Sequence, residues 1–130
     1  MRVVLGLSGA VWSLTGCLPD VGRDPVAPSF SEVRDQVLLP SCAFSSCHGE
    51  GAGELTLEEG GVFDALVGVP SVQVPELLLV AEGLPQESYL MLKMDDAEDI
   101  LGAPMPPGGG MESERIELVR AWIEAGALDD

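Results

Sequence analysis

The sequence predicts an all-α domain of about three to four helices, and three features carry this prediction. Apolar residues recur at helical spacing near the end of the chain, where the segment ESERIELVRAWIEAG places Ile116, Val119, Trp122 and Ile123 on one face. No segment alternates strictly between apolar and polar residues, as a half-buried strand does. Segments rich in proline and glycine separate the helical patterns. A chain of 130 residues has room for one such domain.

The helices are predicted in the following order. The first runs through EVRDQVLL, with a cap at Ser31 and an end at Pro40. A second, short helix covers GVFDALVG, and the segment VPSVQVPELLLVAEG after it is predicted as extended chain over an apolar surface. The third helix covers PQESYLMLKM and begins near Gln86 or Ser88. The last helix ends at a C-terminal cap on Gly126.

The N-terminal segment MRVVLGLSGAVWSLTGC has the order of a secretory signal. A single positive charge at Arg2 precedes an apolar run over residues 3–14, and small residues lead to Cys17. The run is too short for a stable transmembrane helix. Its last four letters, LTGC, resemble the lipobox of bacterial lipoproteins, in which the cysteine is acylated and becomes the mature N-terminus. An ordinary signal peptide and a buried first helix are the alternatives.

The lipobox resemblance implies a division of the chain into three parts. Residues 1–16 are the signal peptide, residues 17–29 are a lipid-anchored tether, and residues 30–130 are the folded domain. The tether prediction also rests on its three prolines. More than one acyl chain on Cys17 gives firm anchoring. We therefore expect the protein on the periplasmic side of the cell envelope, attached to the inner or the outer membrane.

The charge balance limits the partners of the protein. Six Lys and Arg residues stand against 22 Asp and Glu residues, which gives a net charge of −16. Such a chain repels phosphate, so we expect no nucleic-acid partner and contact with the membrane only through the lipid. The acidic runs EGAGELTLEE and DDAED are predicted to be solvated loops. Calcium binding by Asp95, Asp96 and Asp99 is the alternative, although their spacing matches no EF-hand loop.

The stretch PSCAFSSCHGEG holds Cys42, Cys47 and His48, the only histidine of the chain. A disulfide between the two cysteines would close a short loop. A zinc site would need further ligands, and the sequence has no second cysteine pair or histidine. A thiol–disulfide redox centre usually has two residues between its cysteines and lies beside a sheet. In covalent haem attachment the two cysteines bind the porphyrin and the histidine that follows binds the iron, again usually with two intervening residues. Four residues intervene here.

A haem iron bound by one histidine needs a sixth ligand or leaves a site open. Methionine opposite histidine is the ligand set of electron-transfer cytochromes. Met105 lies in GAPMPPGGG, where the flanking prolines restrict the backbone and let the loop present one side chain. Met111 is the second candidate, whereas Met91 and Met94 fall in a helical pattern and are predicted to pack in the core.

On these residues, the segment 30–127 resembles a class I-type c-type cytochrome domain, and in particular small lipid-anchored bacterial proteins with a widened cysteine pair. The matching features are a helix leading into PSCAFSSCHG, a later MP and a final LVRAWIEAGA helix. The resemblance implies one covalent haem c, attached through Cys42 and Cys47, with His48 as the proximal ligand and Met105 as the distal ligand. It implies one-electron transfer to a redox partner rather than enzymatic activity. That partner is expected to be a basic protein or a larger oxidoreductase.

The scarcity of aromatic residues, 5% of the chain, fits this expectation because a haem would supply apolar area to a small core. The residues expected to wall it are Phe44, Phe63, Leu66, Tyr89, Leu90, Ile116 and Trp122. Two other functions remain open at this point. One is a haem-free lipoprotein that contains a Cys42–Cys47 disulfide and acts as a binding or structural module. The other is a small haem enzyme whose iron keeps an open position.

Overall fold

The structure is a computed structural model that describes residues 26–51 and 54–130. The predicted signal peptide, the predicted lipidation site Cys17 and most of the predicted tether lie outside these residues. The described part is helical and contains no strand, only three isolated β-bridges, so the all-α class is confirmed. Its α-helical segments are α1 (Phe30–Val33), α2 (Leu39–Cys42), α3 (Val62–Leu66), α4 (Tyr89–Met94) and α5 (Ser113–Glu124). A π-helical turn (Arg34–Leu38) joins α1 to α2, and a 3₁₀ turn (Pro85–Glu87) precedes α4.

The N-cap of the first helical stretch lies two residues before the predicted cap at Ser31. Ser29 is the N-cap, and it forms a capping box with Glu32 in which each side chain accepts from the other residue's backbone N–H. Ser31 instead donates from its backbone N–H and its hydroxyl to the carboxylate of Asp130. The sequence pattern S-x-x-E at residues 29–32 was the signal for this start.

The predicted end of this helix at Pro40 was wrong, because the helix adapts to the proline. Pro40 has no N–H to donate to the preceding turn, and its ring crowds that turn. The backbone widens there into a π-helical turn, in which the Leu39 N–H bonds to the Arg34 carbonyl five residues back. The helix then continues to Cys42, and the Ala43 N–H closes it on Leu38 at 3.2 Å. The first predicted haem cysteine therefore lies at the C-terminus of α2.

Helix α5 closes the other side of the core. Trp122 is 1% exposed, its ring centroid lies 5.5 Å from that of Phe30, and Phe30 in turn meets Phe63 edge to face at 5.1 Å. The predicted cap at Gly126 is confirmed as a Schellman motif: the Gly126 N–H bonds to Ile123 and the Ala127 N–H to Trp122. These aromatic contacts join α1, α3 and α5 into one apolar core.

The segment between α3 and α4, predicted as extended chain, instead folds back on itself through turns and bends. It is paired with itself through the bridges Val67↔Val80 and Pro70↔Leu78, and Leu78 also bridges to Ser88. Ser88 is fully buried, and its hydroxyl accepts from the Ala81 N–H and donates to the carbonyl of Leu84. These bonds anchor the start of α4 against the core.

Candidate functional site

An open cleft of about 260 Å³ lies between the end of α2, α4 and the loop before α5. All four haem-binding candidates, Cys42, Cys47, His48 and Met105, line this cleft. Leucines form much of the remaining wall, namely Leu38, Leu55, Leu57, Leu66, Leu79 and Leu90. Packed interiors hold few voids larger than a water molecule, so an apolar cleft of this size is a candidate ligand site.

The cysteine loop, residues 42–49, is wound tightly by backbone hydrogen bonds. The His48 N–H donates to the Cys42 carbonyl at 3.0 Å, and the N–H groups of Cys47 and Gly49 both donate to the Phe44 carbonyl, at 2.8 and 2.9 Å. Ala43 stays half-buried against the core, whereas the next three residues are exposed, and Phe44 is 56% exposed. The prediction that Phe44 walls a haem pocket is therefore wrong. The two cysteines nevertheless line the same cleft.

The imidazole of His48 is oriented by a hydrogen bond between its Nδ1 atom and the Leu55 carbonyl oxygen, 3.2 Å away. A carbonyl oxygen only accepts, so Nδ1 carries the proton in this bond and Nε2 keeps its lone pair. Histidines that bind metals commonly donate their other ring N–H to a carbonyl or carboxylate in this manner. A backbone bond from the Leu57 N–H to the His48 carbonyl, 2.7 Å long, holds the same segment in place.

Within the described residues, Cys42 and Cys47 are free thiols. Burial, with a smaller contribution from the neighbouring Cys47, raises the pKa of Cys42 to about 11. Its thiol is therefore protonated at neutral pH, unlike the low-pKa thiolates of thiol–disulfide redox centres. In residues 26–51 and 54–130, no group of three or more His, Cys, Asp or Glu side chains is placed to hold a metal ion.

Among the described residues, three methionines line the cleft. Met105 and Met111, the first and second candidates for the sixth ligand, both line the cleft. Met91 and Met94 are buried in the core as predicted, and Met94 also reaches the cleft. The Met105 N–H donates to the Lys93 carbonyl at 2.9 Å, which attaches residues 101–105, here called the methionine loop, to the end of α4.

The remaining predicted wall residues divide into two groups. Leu66, Tyr89 and Leu90 line the cleft. Three others belong instead to the aromatic and apolar core described above, namely Phe63, Ile116 and Trp122.

Lys93 is a site residue that the sequence reasoning missed. It is the only lysine of the chain, yet it is 6% exposed and lines the cleft. Its Nζ donates to the Leu101 carbonyl and, at 2.8 Å, to the Ala103 carbonyl, and it lies 5.6 Å from the centroid of the Tyr89 ring. A lone lysine inside the apolar pattern YLMLKM was the available signal.

No protein-family model, curated protein sequence or solved structure matches this chain. Among the helices of residues 26–51 and 54–130, none has the length and apolar character that crossing a bilayer requires.

Proposed function

We propose that the protein is a lipid-anchored monohaem c-type cytochrome that transfers single electrons. One observation carries the proposal: Met105, from a distant part of the chain, lines the same apolar cleft as Cys42, Cys47 and His48. The sequence pattern alone required only the two cysteines and the histidine to be neighbours. The donor set suits haem c, because the thiols match its two attachment points and histidine with methionine matches its axial ligands.

Each residue has a role in this proposal. Cys42 and Cys47 hold the cofactor through thioether bonds, and three of the four residues between them are exposed. His48 offers Nε2 to the iron because Nδ1 is engaged with Leu55. Met105, which lines the same cleft, offers its thioether as the second ligand. When bound, haem supplies an iron that alternates between two oxidation states and so carries one electron.

The chain also influences the reduction potential. A methionine ligand and an apolar cleft both raise it, since each disfavours the more positive ferric form. The many surface carboxylates favour the ferric form and lower the potential. Water screens these exposed charges, which weakens their effect relative to groups within the cleft.

The cellular setting is proposed from the N-terminal segment. Acylation at Cys17 would tether the domain through residues 17–29 to the periplasmic side of the inner or outer membrane. An acidic surface favours association with a basic redox protein or a basic face of a larger oxidoreductase.

The test is the intact mass and absorption spectrum of the full chain, expressed in a bacterial host that makes haem c. We expect a Soret band and a mass equal to the chain from Cys17 plus its acyl groups and one haem. A Cys42→Ala/Cys47→Ala variant loses the covalent haem, whereas Ser45→Ala in the same loop retains it. A colourless protein, two hydrogens lighter than the reduced chain, would instead indicate the disulfide-containing lipoprotein.

A further inference from the structure

Two side chains of α4 contact the segment that precedes Met105. Lys93 donates through Nζ to the carbonyls of Leu101 and Ala103, and its own carbonyl accepts from the Met105 N–H at 2.9 Å. One residue thus makes three hydrogen bonds to a five-residue stretch that ends at the candidate ligand. This is a dense attachment for a loop, since loops are generally held by few contacts.

Tyr89 completes the attachment from the same face of the helix, one turn earlier. Its hydroxyl accepts from the Leu101 N–H at 3.1 Å and donates to the Gln73 side chain at 2.9 Å. Residues four apart on a helix lie side by side, and here the Lys93 ammonium also lies over the Tyr89 ring. The hydroxyl of Tyr89 therefore connects the methionine loop to Gln73, which lines the cleft from another segment.

The position of Lys93 needs an explanation. An ammonium group that is withdrawn from water is unfavourable unless it is hydrogen-bonded or paired with an opposite charge. Each of the three arginines among the described residues forms an ion pair with a carboxylate. Lys93 has no ion pair there and bonds to carbonyl oxygens instead. Its charge thus strengthens bonds to the loop backbone, because a charged donor bonds a carbonyl more strongly than a neutral one does.

We propose that Lys93 and Tyr89 form a clamp on α4 that holds residues 101–105 and thereby positions the Met105 thioether for the iron. This inference rests on the proposed haem-binding function for its final step, the ligation. The clamp itself concerns only groups of this chain. Lys93 and Tyr89 are positioning residues, since they act through the loop.

The test compares Lys93→Met, Lys93→Arg and Arg34→Gln in the full chain as purified from a host that makes haem c. Lys93→Met keeps much of the side-chain volume but removes the donors and the charge. Lys93→Arg restores both. Arg34→Gln removes one positive charge from an exposed pair with Asp35, and so controls for net charge. Two quantities are measured: the hydrogen-exchange rate of the Met105 amide, and the absorption band of thioether-ligated ferric haem.

We expect Lys93→Met to speed exchange of the Met105 amide about tenfold or more and to weaken the thioether band. Lys93→Arg should recover most of both signals, and Arg34→Gln should change neither. Equal signals in Lys93→Met and Arg34→Gln would overturn the clamp, as would a Lys93→Arg variant as impaired as Lys93→Met. Should Lys93→Met not fold, Tyr89→Phe, which removes the acceptor for the Leu101 N–H, is judged by the same two signals.

The two proposals fail in different ways. A protein without haem shows no thioether band in any variant, the unsubstituted chain included, and this rejects the proposed function. In that case the exchange rate of the Met105 amide in the variants still tests whether Lys93 holds residues 101–105. If the protein binds haem but Lys93→Met changes neither the exchange rate of the Met105 amide nor the thioether band, the clamp is rejected and the cytochrome proposal stands.

Discussion

Gly49 follows His48 directly, and the structure leaves no room for a side chain there. A Cβ atom on Gly49 would lie 2.4 Å from the Ala43 carbonyl oxygen and 3.0 Å from the carbonyl carbon and oxygen of Phe44. All three neighbours are backbone atoms, so no side-chain rotation relieves the contact. Gly49→Ala therefore pushes residue 49 away from the backbone of Ala43 and Phe44 and strains the hydrogen bond between the residue 49 N–H and the Phe44 carbonyl.

The cost follows from these contacts. Overpacking of a tight site costs about 1–3 kcal/mol, and loss of one backbone hydrogen bond costs about 1 kcal/mol, so we expect Gly49→Ala to lower the free energy of unfolding by about 2–4 kcal/mol. Urea denaturation measures this change. Covalent haem incorporation should fall as well, because the same displacement separates Cys42 from His48.

Gly60→Ala is the matched control for this prediction. No atom lies within 4 Å of a Cβ placed on Gly60, so this substitution should change the stability by less than about 1 kcal/mol and leave haem incorporation unchanged. If Gly49→Ala matched Gly60→Ala in both measurements, the tight winding of residues 42–49 would not be what holds the two thiols and the imidazole on one cleft.

Three further predictions concern the ligand, the first helix and the buried thiol. In the haem-loaded protein Met105→Leu should abolish the thioether band and lower the reduction potential, whereas Met111→Leu should leave both unchanged. The reverse pattern would assign Met111 as the ligand, a band that survives both substitutions would contradict both assignments, and a haem-loaded unsubstituted protein without the band would indicate an open iron. Ser29→Ala should lower the free energy of unfolding by about 1 kcal/mol through loss of the N-cap, with the exposed Ser45→Ala as the neutral control in urea denaturation. In haem-free protein, alkylation of Cys42, followed by mass spectrometry, should be slow at pH 8 and should accelerate as the pH rises towards 11. The raised pKa of Cys42 leaves about a hundredfold less thiolate at pH 8 than a thiol of ordinary pKa near 9 has. An alkylation rate that stops rising near pH 9 would contradict this.

The sequence predicted the elements whose evidence is local. The apolar spacing in α5 and the glycine after it were sufficient for the helix and its cap, because a Schellman motif depends on a few consecutive residues. The course of the chain at Pro40 was not predictable from the residue alone. Proline usually ends a helix, but here a π-helical turn precedes it and the helix continues to Cys42. Leu39 and Cys42, on either side of Pro40, pack against the core, a tertiary contact that the sequence does not reveal.

In the candidate site, too, neighbours in sequence were predictable and long-range contacts were not. Cys47 and His48 are adjacent in the sequence, so they lie close together in any fold. The approach of Met105 to them depends on the whole chain between, and only the fold places it there. Phe44 was predicted to wall the haem pocket because it is apolar, but in the hydrogen-bonded cysteine loop its side chain is exposed to solvent. The burial of Lys93 was not predicted, because charged side chains are almost never buried without a partner. Its partners are backbone carbonyls, which the sequence does not identify.

The distribution of charge gives Lys93 a second consequence. In the described part of the chain, the three arginines are neutralised by carboxylates near the surface, where ion pairs contribute little and salt screens them. The one lysine lies in the wall of the cleft without a carboxylate partner in an ion pair among these residues. Coulomb interactions grow as distance and dielectric fall, so one buried ammonium acts on a group in the cleft more strongly than a single exposed carboxylate does. A redox centre in this cleft would therefore feel a local positive charge inside a strongly acidic protein.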